Sequence, residues 1–209
     1  MTDLIAKHGG YQNLKSFQTT VIIYDLTVEF CKLFIPSHKM RDQLEGAARS
    51  GSQNIGEASQ ASGTSKQTEI RLTDVARASL EELKLDMQAF LRQNNLFIWD
   101  KNHPKALEIR KLGYMTNRSY KTYVSYMTNK EYFANCLLCL INQAGFLLDQ
   151  QLRALGKDFT EQGDFKDRQT QIKKAEMLNS EPSFEEFIKP FGLKRLENGQ
   201  VVKITDEEK

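Results

Sequence analysis

Cysteine is scarce in this chain of 209 residues, and its three cysteines are an odd number. Cys136 and Cys139 stand in the apolar run CLLCLI, which favours buried free thiols over a disulfide framework. One Cys-x-x-Cys pair without a second pair or a suitably placed histidine is also a poor zinc site. A chain of this length can bury a core without such staples, so we expect reduced thiols in a cytoplasmic protein.

Long apolar runs are absent as well. The longest, CLLCLI, is far shorter than the ~18 residues of a membrane-spanning helix. The amino end, MTDLIAKHGGYQNLK, lacks the charged and then apolar layout of a secretory signal. We expect a cytoplasmic protein without membrane contact.

Histidine occurs only at His8, His38 and His103. None has a glutamate three positions before it, so the Glu-x-x-His pairs of a di-iron bundle are missing. Three scattered histidines do not indicate a Ser-His-Asp catalytic triad. No segment has the glycine spacing, followed by lysine and serine or threonine, of a Walker-type phosphate-binding loop. We expect no metal, no cofactor and no catalytic activity.

Carboxylates on the two central predicted helices stand beside arginines. Arg77 and Glu81, for example, have the i,i+4 spacing of an ion pair. This arrangement favours pairing over catalysis, because a nearby arginine opposes the raised pKa of a general acid. The carboxylates are Glu57, Glu69, Asp74, Glu81 and Glu82.

Net charge is only +2, from 29 basic and 27 acidic residues. Its distribution is uneven, because residues 96–130 hold 7 basic residues against 2 acidic ones. The chain as a whole does not demand a polyanionic partner, but this segment could contact one.

Apolar residues recur at steps of three and four over most of the first 155 positions, which predicts helices. In the first helix the predicted apolar face is Phe17, Val21, Tyr24, Val28, Cys31 and Phe34 or Ile35. The β-branched run TTVIIY leaves a strand as the alternative there. In the last helix the predicted core face is Phe133, Leu137, Leu140, Ala144, Leu147 and Leu148. The predicted helices cover about 17–35, 38–62, 65–93 and 129–155.

The stretch GAARSGSQNIGEASQASGTS, residues 46–65, has the composition of a flexible linker. However, Leu44, Ala48, Gly51, Ile55 and Ala58 keep helical register through it. We therefore interpret it as a helix whose small residues let a neighbour approach closely.

Short connections between these helices predict an all-α, antiparallel up-down four-helix bundle over 14–156. Capping boxes at Thr64 and Thr128 would open the third and fourth helices, and Gly156 would end the fourth. Residues 157–209 are predicted to be a polar, partly ordered C-terminal extension, with a hairpin at Asn198-Gly199.

The basic segment interleaves tyrosines with lysines and arginines, a mixture that could bind phosphates and stack bases. Tyrosines at partly helical spacing could equally pack on the bundle or at a subunit contact. The candidate nucleic-acid-binding residues are Lys105, Arg110, Lys111, Arg118, Lys121, Tyr114, Tyr120 and Tyr123.

The two central helices carry strings that resemble the signature of the small four-helix-bundle proteins first noticed in intervening sequences of bacterial 23S ribosomal RNA genes. That family has Arg-Ala-Ala, Ser and Asn-Ile-Ala-Glu-Gly on one helix, and Ala-Arg-Gly-Ser and Glu on the next. The matching positions are Ala47, Ala48, Ser50, Asn54, Ile55, Glu57, Ala76, Arg77, Ser79 and Glu82. The chain departs from the pattern at Gly46, Gly56, Ala58 and Ala78.

The long tail is similar to a suffix found on a subset of these proteins. The family includes relatives of the accessory variability protein of diversity-generating retroelements, which forms a ring of five subunits and binds a reverse transcriptase and nucleic acid. The resemblance implies a bacterial, cytoplasmic homo-oligomer without catalytic activity, for which a pentamer is one expectation. We expect an adaptor that binds nucleic acid or a nucleic-acid-processing partner. The alternative is a pure scaffolding or assembly protein that binds no nucleic acid.

Overall fold

The computed structural model of the chain describes residues 9–180 and 183–203, and the described part is mainly helical. The chain divides into two compact units, of which the first ends at Phe165 and the second starts at Lys166. The helices of the first unit are α1 (Lys15–Phe34), α2 (His38–Ala61), α3 (Lys66–Gln93), α4 (Pro104–Leu112) and α5 (Lys130–Gln162), with 3-10 turns at Tyr11–Asn13 and Tyr120–Tyr126. The predicted all-α class is confirmed.

Helices α1, α2, α3 and α5 form an antiparallel four-helix bundle in which each helix packs on two neighbours. Contacts at both ends establish the direction of α5 relative to α3. The backbone N–H of Lys66, the first residue of α3, donates to Asp164 Oδ1 at 2.8 Å. At the other end, Lys130 Nζ donates to Asn94 Oδ1 at 2.9 Å. With α1 and α2 joined by a three-residue connection, the order is up, down, up, down, as predicted.

Large aromatic side chains fill one end of the bundle core. The ring of Phe30 lies 4.9 Å from that of Phe90 and 5.4 Å from that of Phe133, both edge to face. The predicted core face of α5 is confirmed except at Leu147, which is half-buried. Its fully buried members are Phe133, Leu137, Leu140, Ala144 and Leu148.

The helix α1 is confirmed and the strand alternative is not seen, but of its predicted apolar face only Cys31 and Ile35 are buried. Phe17, Val21, Tyr24 and Val28 are only partly buried. The buried residues of α1 are Ser16, Thr19, Thr20, Ile22, Ile23, Leu26, Thr27, Phe30 and Cys31. Threonines can occupy the core because their hydroxyls bond to carbonyls of the same helix. Thr27 Oγ1, for example, donates to the Ile23 carbonyl at 2.7 Å.

The small-residue stretch is helical, as predicted, and its seam faces α3. Gly51 is buried, and a Cβ added there would lie 2.8 Å from Leu80 Cδ2. That separation is well inside van der Waals contact, so a side chain at residue 51 would force the buried Leu80 side chain of α3 to move. The neighbouring residues Ala48 and Ile55 are also in the core.

Three predicted helix ends shift. The N-cap of α3 is Ser65 rather than Thr64, since Ser65 Oγ accepts from the Thr68 N–H at 3.2 Å. The N-cap of α5 is Asn129 rather than Thr128. Helix α5 runs through Gly156 to Gln162, because nothing crowds that glycine and a single glycine costs only ~1 kcal/mol in a helix.

Helix α5 is long and apolar enough to cross a membrane by length and composition alone. Just over half of its most apolar stretch is buried inside the bundle, however. A central helix of a helical bundle needs that composition to fill the core, so its hydrophobicity has an explanation within the fold.

The unit that starts at Lys166 contains most of α6 (Phe165–Ser180), then α7 (Phe184–Ile188), a 3-10 turn at Lys189–Phe191, β1 (Leu193–Arg195) and β2 (Val201–Lys203). The predicted hairpin at Asn198-Gly199 is confirmed: β1 and β2 pair antiparallel with Leu193 opposite Lys203, and Gly199 has φ +86°. Residues 181, 182 and 204–209 of the predicted extension lie outside the described residues.

Candidate nucleic-acid interface

The connection between α3 and α4 is attached to the bundle by Asn135, a buried residue of α5. Its Oδ1 accepts a hydrogen bond from the Trp99 N–H at 2.8 Å. Its Nδ2 donates to the Phe97 carbonyl at 2.8 Å and to the Glu131 carbonyl at 2.9 Å. All of these bonds are buried in part or fully, so the side chain holds residues 97–99 in one position against α5.

Trp99 is further held by aromatic neighbours. Its ring stacks on His103, with centroids 4.5 Å apart and an interplanar angle of 12°. Tyr132 meets it edge to face at 5.4 Å. The chain then enters α4 at Pro104, which is at the first helical position, where proline is favoured. The result is a rigid wall made of residues 97–103.

A groove of about 720 Å³ opens beside this wall. We call it the basic groove, because five cationic side chains line it and only one carboxylate does. The cations are Lys15, Lys84, Lys101, Arg110 and Arg118, and the carboxylate is Asp100. Asp100 is itself engaged, since its Oδ1 accepts from the Asn102 N–H at 2.6 Å.

Three of the groove cations are exposed and have no ion pair within the described residues: Lys15, Lys101 and Arg110. The other two are engaged. Lys84 Nζ lies 2.8 Å from a Glu81 carboxylate oxygen, and Arg118 Nη2 donates to Thr19 Oγ1 at 3.1 Å. The unpaired charges come from α1, from the Trp99 connection and from α4, so the groove concentrates positive charge that is dispersed in the sequence.

Exposed aromatic rings lie beside these cations. Tyr114, just after α4, is 83% exposed, and Phe146 on α5 is 61% exposed. Both line the basic groove. Large exposed aromatics next to unpaired cations are the components of a site for a ligand that is both anionic and aromatic.

The structure brings part of the predicted binding set together. Arg110, Arg118 and Tyr114 line the basic groove, whereas Lys111 and Lys121 are exposed outside it. Sequence reasoning missed Lys15, Lys84, Lys101 and Phe146. Lys101 belongs to the segment with excess positive charge, but no local signal marks Lys15, Lys84 and Phe146, because only the packing of α1, α3 and α5 places them beside α4.

Two of the candidate stacking tyrosines pack on the bundle, which is the alternative that the sequence left open, and a predicted phosphate ligand is engaged elsewhere. Tyr123 is fully buried, and burial raises its pKa while Arg118 lowers it in part. Tyr120 is partly buried against the core. Lys105 Nζ lies 5.7 Å from the ring centre of Tyr126 and 5.0 Å from that of Tyr132, a cation–π arrangement.

Cysteine chemistry is suppressed at the site. Cys139 lines the basic groove, and burial raises the pKa of its thiol to about 11, an effect that Arg110 opposes. Burial likewise raises the pKa of Cys31 to about 12 and that of Cys136 well above its usual value. At neutral pH all three are therefore protonated thiols, which are poor nucleophiles and poor metal ligands.

Arg77 is ion-paired as predicted, but its partners do not include Glu81. Arg77 bonds to Asp74 at 2.6 Å and to Asp149 of α5 at 2.8 Å, while Glu81 pairs with Lys84. Burial and, to a smaller extent, the charge of Glu82 raise the pKa of Asp86 on the same helix.

The ten residues that carry the resemblance fall into a buried group and a more exposed group. The apolar ones, Ala47, Ala48, Ile55 and Ala76, are buried. The others are on the surface or partly buried, and Asn54 Nδ2 and Ser79 Oγ bond to carbonyls of their own helices. The surface and partly buried members are Ser50, Asn54, Glu57, Arg77, Ser79 and Glu82. None of the ten lines the basic groove. Arg77 and Glu82 border a second depression, which lies between α3 and α5.

Within residues 9–180 and 183–203, no three His, Cys, Asp or Glu side chains come together as a metal site would require. Comparisons with protein-family models, with curated proteins and with solved structures found no match to the chain. The resemblance to the bundle proteins of ribosomal RNA intervening sequences therefore stays a prediction.

Proposed function

We propose that the protein is a non-catalytic cytoplasmic adaptor that binds nucleic acid, or a partner that processes it, through the basic groove. The observation that carries this proposal is the convergence of Lys15, Lys101 and Arg110 on one concavity without carboxylate partners. Unpaired cations at the surface are free to replace counterions on phosphate groups, which is the main source of affinity in non-specific nucleic-acid binding.

The test compares two triple variants that remove the same charge. The groove variant is Lys15→Gln, Lys101→Gln and Arg110→Gln. The matched control is Lys39→Gln, Lys111→Gln and Lys121→Gln, three exposed lysines outside the groove and without ion pairs in the described part of the chain. Affinity for a labelled oligonucleotide is measured over a range of salt concentrations.

The groove variant should lower the slope of log K against log salt by about 2 to 3, because each lost phosphate contact removes ~0.7 to 0.9. The control should keep nearly the wild-type slope, since it changes net charge equally without touching the groove. Equal slopes for the two variants would sink the assignment of binding to this groove.

The adaptor is also proposed to be a homo-oligomer, with a pentamer as the form that the resemblance suggests. Leu85, which is more than half exposed, borders the depression between α3 and α5 and is the side chain there that a subunit contact would cover. Light scattering that shows a monomer at micromolar concentration would count against the oligomer. An assembled protein without salt-dependent oligonucleotide binding would instead establish the scaffolding alternative.

A further inference from the structure

We propose that the basic groove takes a single-stranded segment of nucleic acid and stacks its bases on Tyr114 and Phe146. This inference rests on the proposed function, and it names the form of nucleic acid that the site selects. The size of the groove, its exposed aromatic rings and its amide side chains support this inference.

The size of the groove favours a flexible strand. A volume of about 720 Å³ is that of a pocket for a small organic ligand. A few unstacked nucleotides can enter such a concavity. A duplex is a stiff rod with its bases stacked inside, and it could touch only the rim with its phosphates.

The exposed rings favour bases over phosphates alone. Tyr114 and Phe146 present most of their surface to solvent, at a cost in exposed apolar area that a monomeric protein usually avoids. A base that is free of its own stack can cover either ring, whereas the bases of a duplex cannot reach them. Base stacking on aromatic side chains is the usual source of sequence-tolerant affinity for single strands.

Amide side chains that line the groove can form hydrogen bonds with the edges of unpaired bases. Gln88, Asn142, Gln143 and Gln150 also line the groove. Gln143 Nε2 is held near the Ile109 carbonyl at 3.4 Å, while Asn142 and Gln150 are exposed. Amide side chains offer both donors and acceptors, which are what the Watson–Crick edges of unpaired bases need.

The wall of the groove formed by residues 97–103 is already ordered before a ligand enters. Because Asn135 and His103 hold Trp99, the groove needs little ordering when a strand enters. Trp99 is the single tryptophan of the chain and lines the groove. Its fluorescence therefore reports on occupation of this site without a label.

The experiment titrates the full chain with oligo-dT of twelve nucleotides and with a mixed-sequence DNA duplex of twelve base pairs at one salt concentration. Trp99 fluorescence and the anisotropy of a fluorescent end label are both followed. We expect quenching of Trp99 by the single strand, and affinity for it at least about tenfold above that for the duplex.

Ring variants test the stacking residues. Tyr114→Ala and Phe146→Ala should each weaken binding of the single strand by about tenfold while leaving duplex binding unchanged. Tyr114→Phe should bind as the wild type does, because the ring is kept. The matched control is Phe191→Ala, which removes an aromatic ring that is 67% exposed and belongs neither to the groove lining nor to the wall of residues 97–103.

Each outcome decides a different claim. Equal affinity for strand and duplex, with both reduced in the groove variant of three cations, would overturn the single-strand inference and leave the proposed function standing. Alanine variants that bind the single strand as tightly as the wild type would also overturn it. Failure to bind either oligonucleotide would remove the proposed function together with this inference.

Discussion

Asn135 Oδ1 accepts a hydrogen bond of 2.8 Å from the backbone N–H of Trp99, and this bond joins the core of the bundle to the wall of the basic groove. The same side chain donates to the Phe97 carbonyl. A buried amide with all these partners fixes the connecting segment, whereas an apolar side chain would leave backbone groups unpaired.

Asn135→Ala should therefore lower the free energy of unfolding by about 2 kcal/mol, because it leaves buried donors and acceptors without hydrogen-bond partners. It should also shift Trp99 emission to the red as the connection loosens. Urea denaturation and the emission spectrum measure the two effects. Asn142→Ala, on an exposed groove residue of the same helix, is the control and should change neither.

Gly51 and Gly46 of α2 should respond in opposite ways to alanine. Gly46→Ala adds a methyl group with nothing within 4 Å and should stabilise the protein by up to ~1 kcal/mol through helix propensity. Gly51→Ala places its Cβ against Leu80, which is itself buried, and should destabilise by about 1 to 2 kcal/mol. Denaturation midpoints measure both effects. A gain in stability at both positions would contradict the close contact between Gly51 and Leu80.

Arg77 should contribute little to stability despite two carboxylate partners. Its side chain is 46% exposed and that of Asp149 is 44% exposed, so water and salt screen the pair. Arg77→Gln should cost less than about 1 kcal/mol, and the cost should vanish in molar salt. Ala76→Leu, at a neighbouring buried position, should cost about 1 to 3 kcal/mol by overpacking. A larger loss for Arg77→Gln would reverse this ranking.

Alkaline pH should destabilise the protein through its buried thiols. The usual pKa of 9.0 applies to Cys139 in the unfolded chain, while in the folded state its pKa is about 11. The stabilisation from the protonated thiol is fully present below pH 9 and is lost as pH rises through 11, because the unfolded state releases the proton first.

The slope attributable to Cys139 is about 1.4 kcal/mol per pH unit in that window. Cys139→Ala should therefore show a shallower fall in the free energy of unfolding between pH 9 and pH 10.5 than the wild type. Urea titrations at several pH values measure the difference. Parallel curves would show that this thiol does not keep its proton in the folded state.

Periodicity predicted the buried faces of α2 and α5 because apolar residues there coincide with the core. It failed on α1, where the buried positions include Thr19, Thr20 and Thr27. Each hydroxyl bonds to a carbonyl of its own helix at 2.7 Å. A threonine satisfied in this way can be buried at little cost, and a pattern of polar and apolar letters cannot show that bond.

The groove could be predicted only in part. Arg110, Arg118 and Tyr114 were found because they are close in sequence and belong to a segment with excess positive charge. Tyr123 could not be assigned to the core or to the surface, since a tyrosine at helical spacing fits either. Lys15 and Phe146 gave no signal, because their relation to α4 exists only across the bundle.

By itself, the sequence determined the helices, their antiparallel order and the helical state of the small-residue stretch, because these depend on contacts a few residues apart and on short connections. Tertiary structure alone decided which face of α1 is buried, which tyrosines reach solvent, and which cations share a groove. Those properties depend on helices that meet from distant parts of the chain, and side-chain hydrogen bonds such as those of Asn135 settle them only after the bundle has packed.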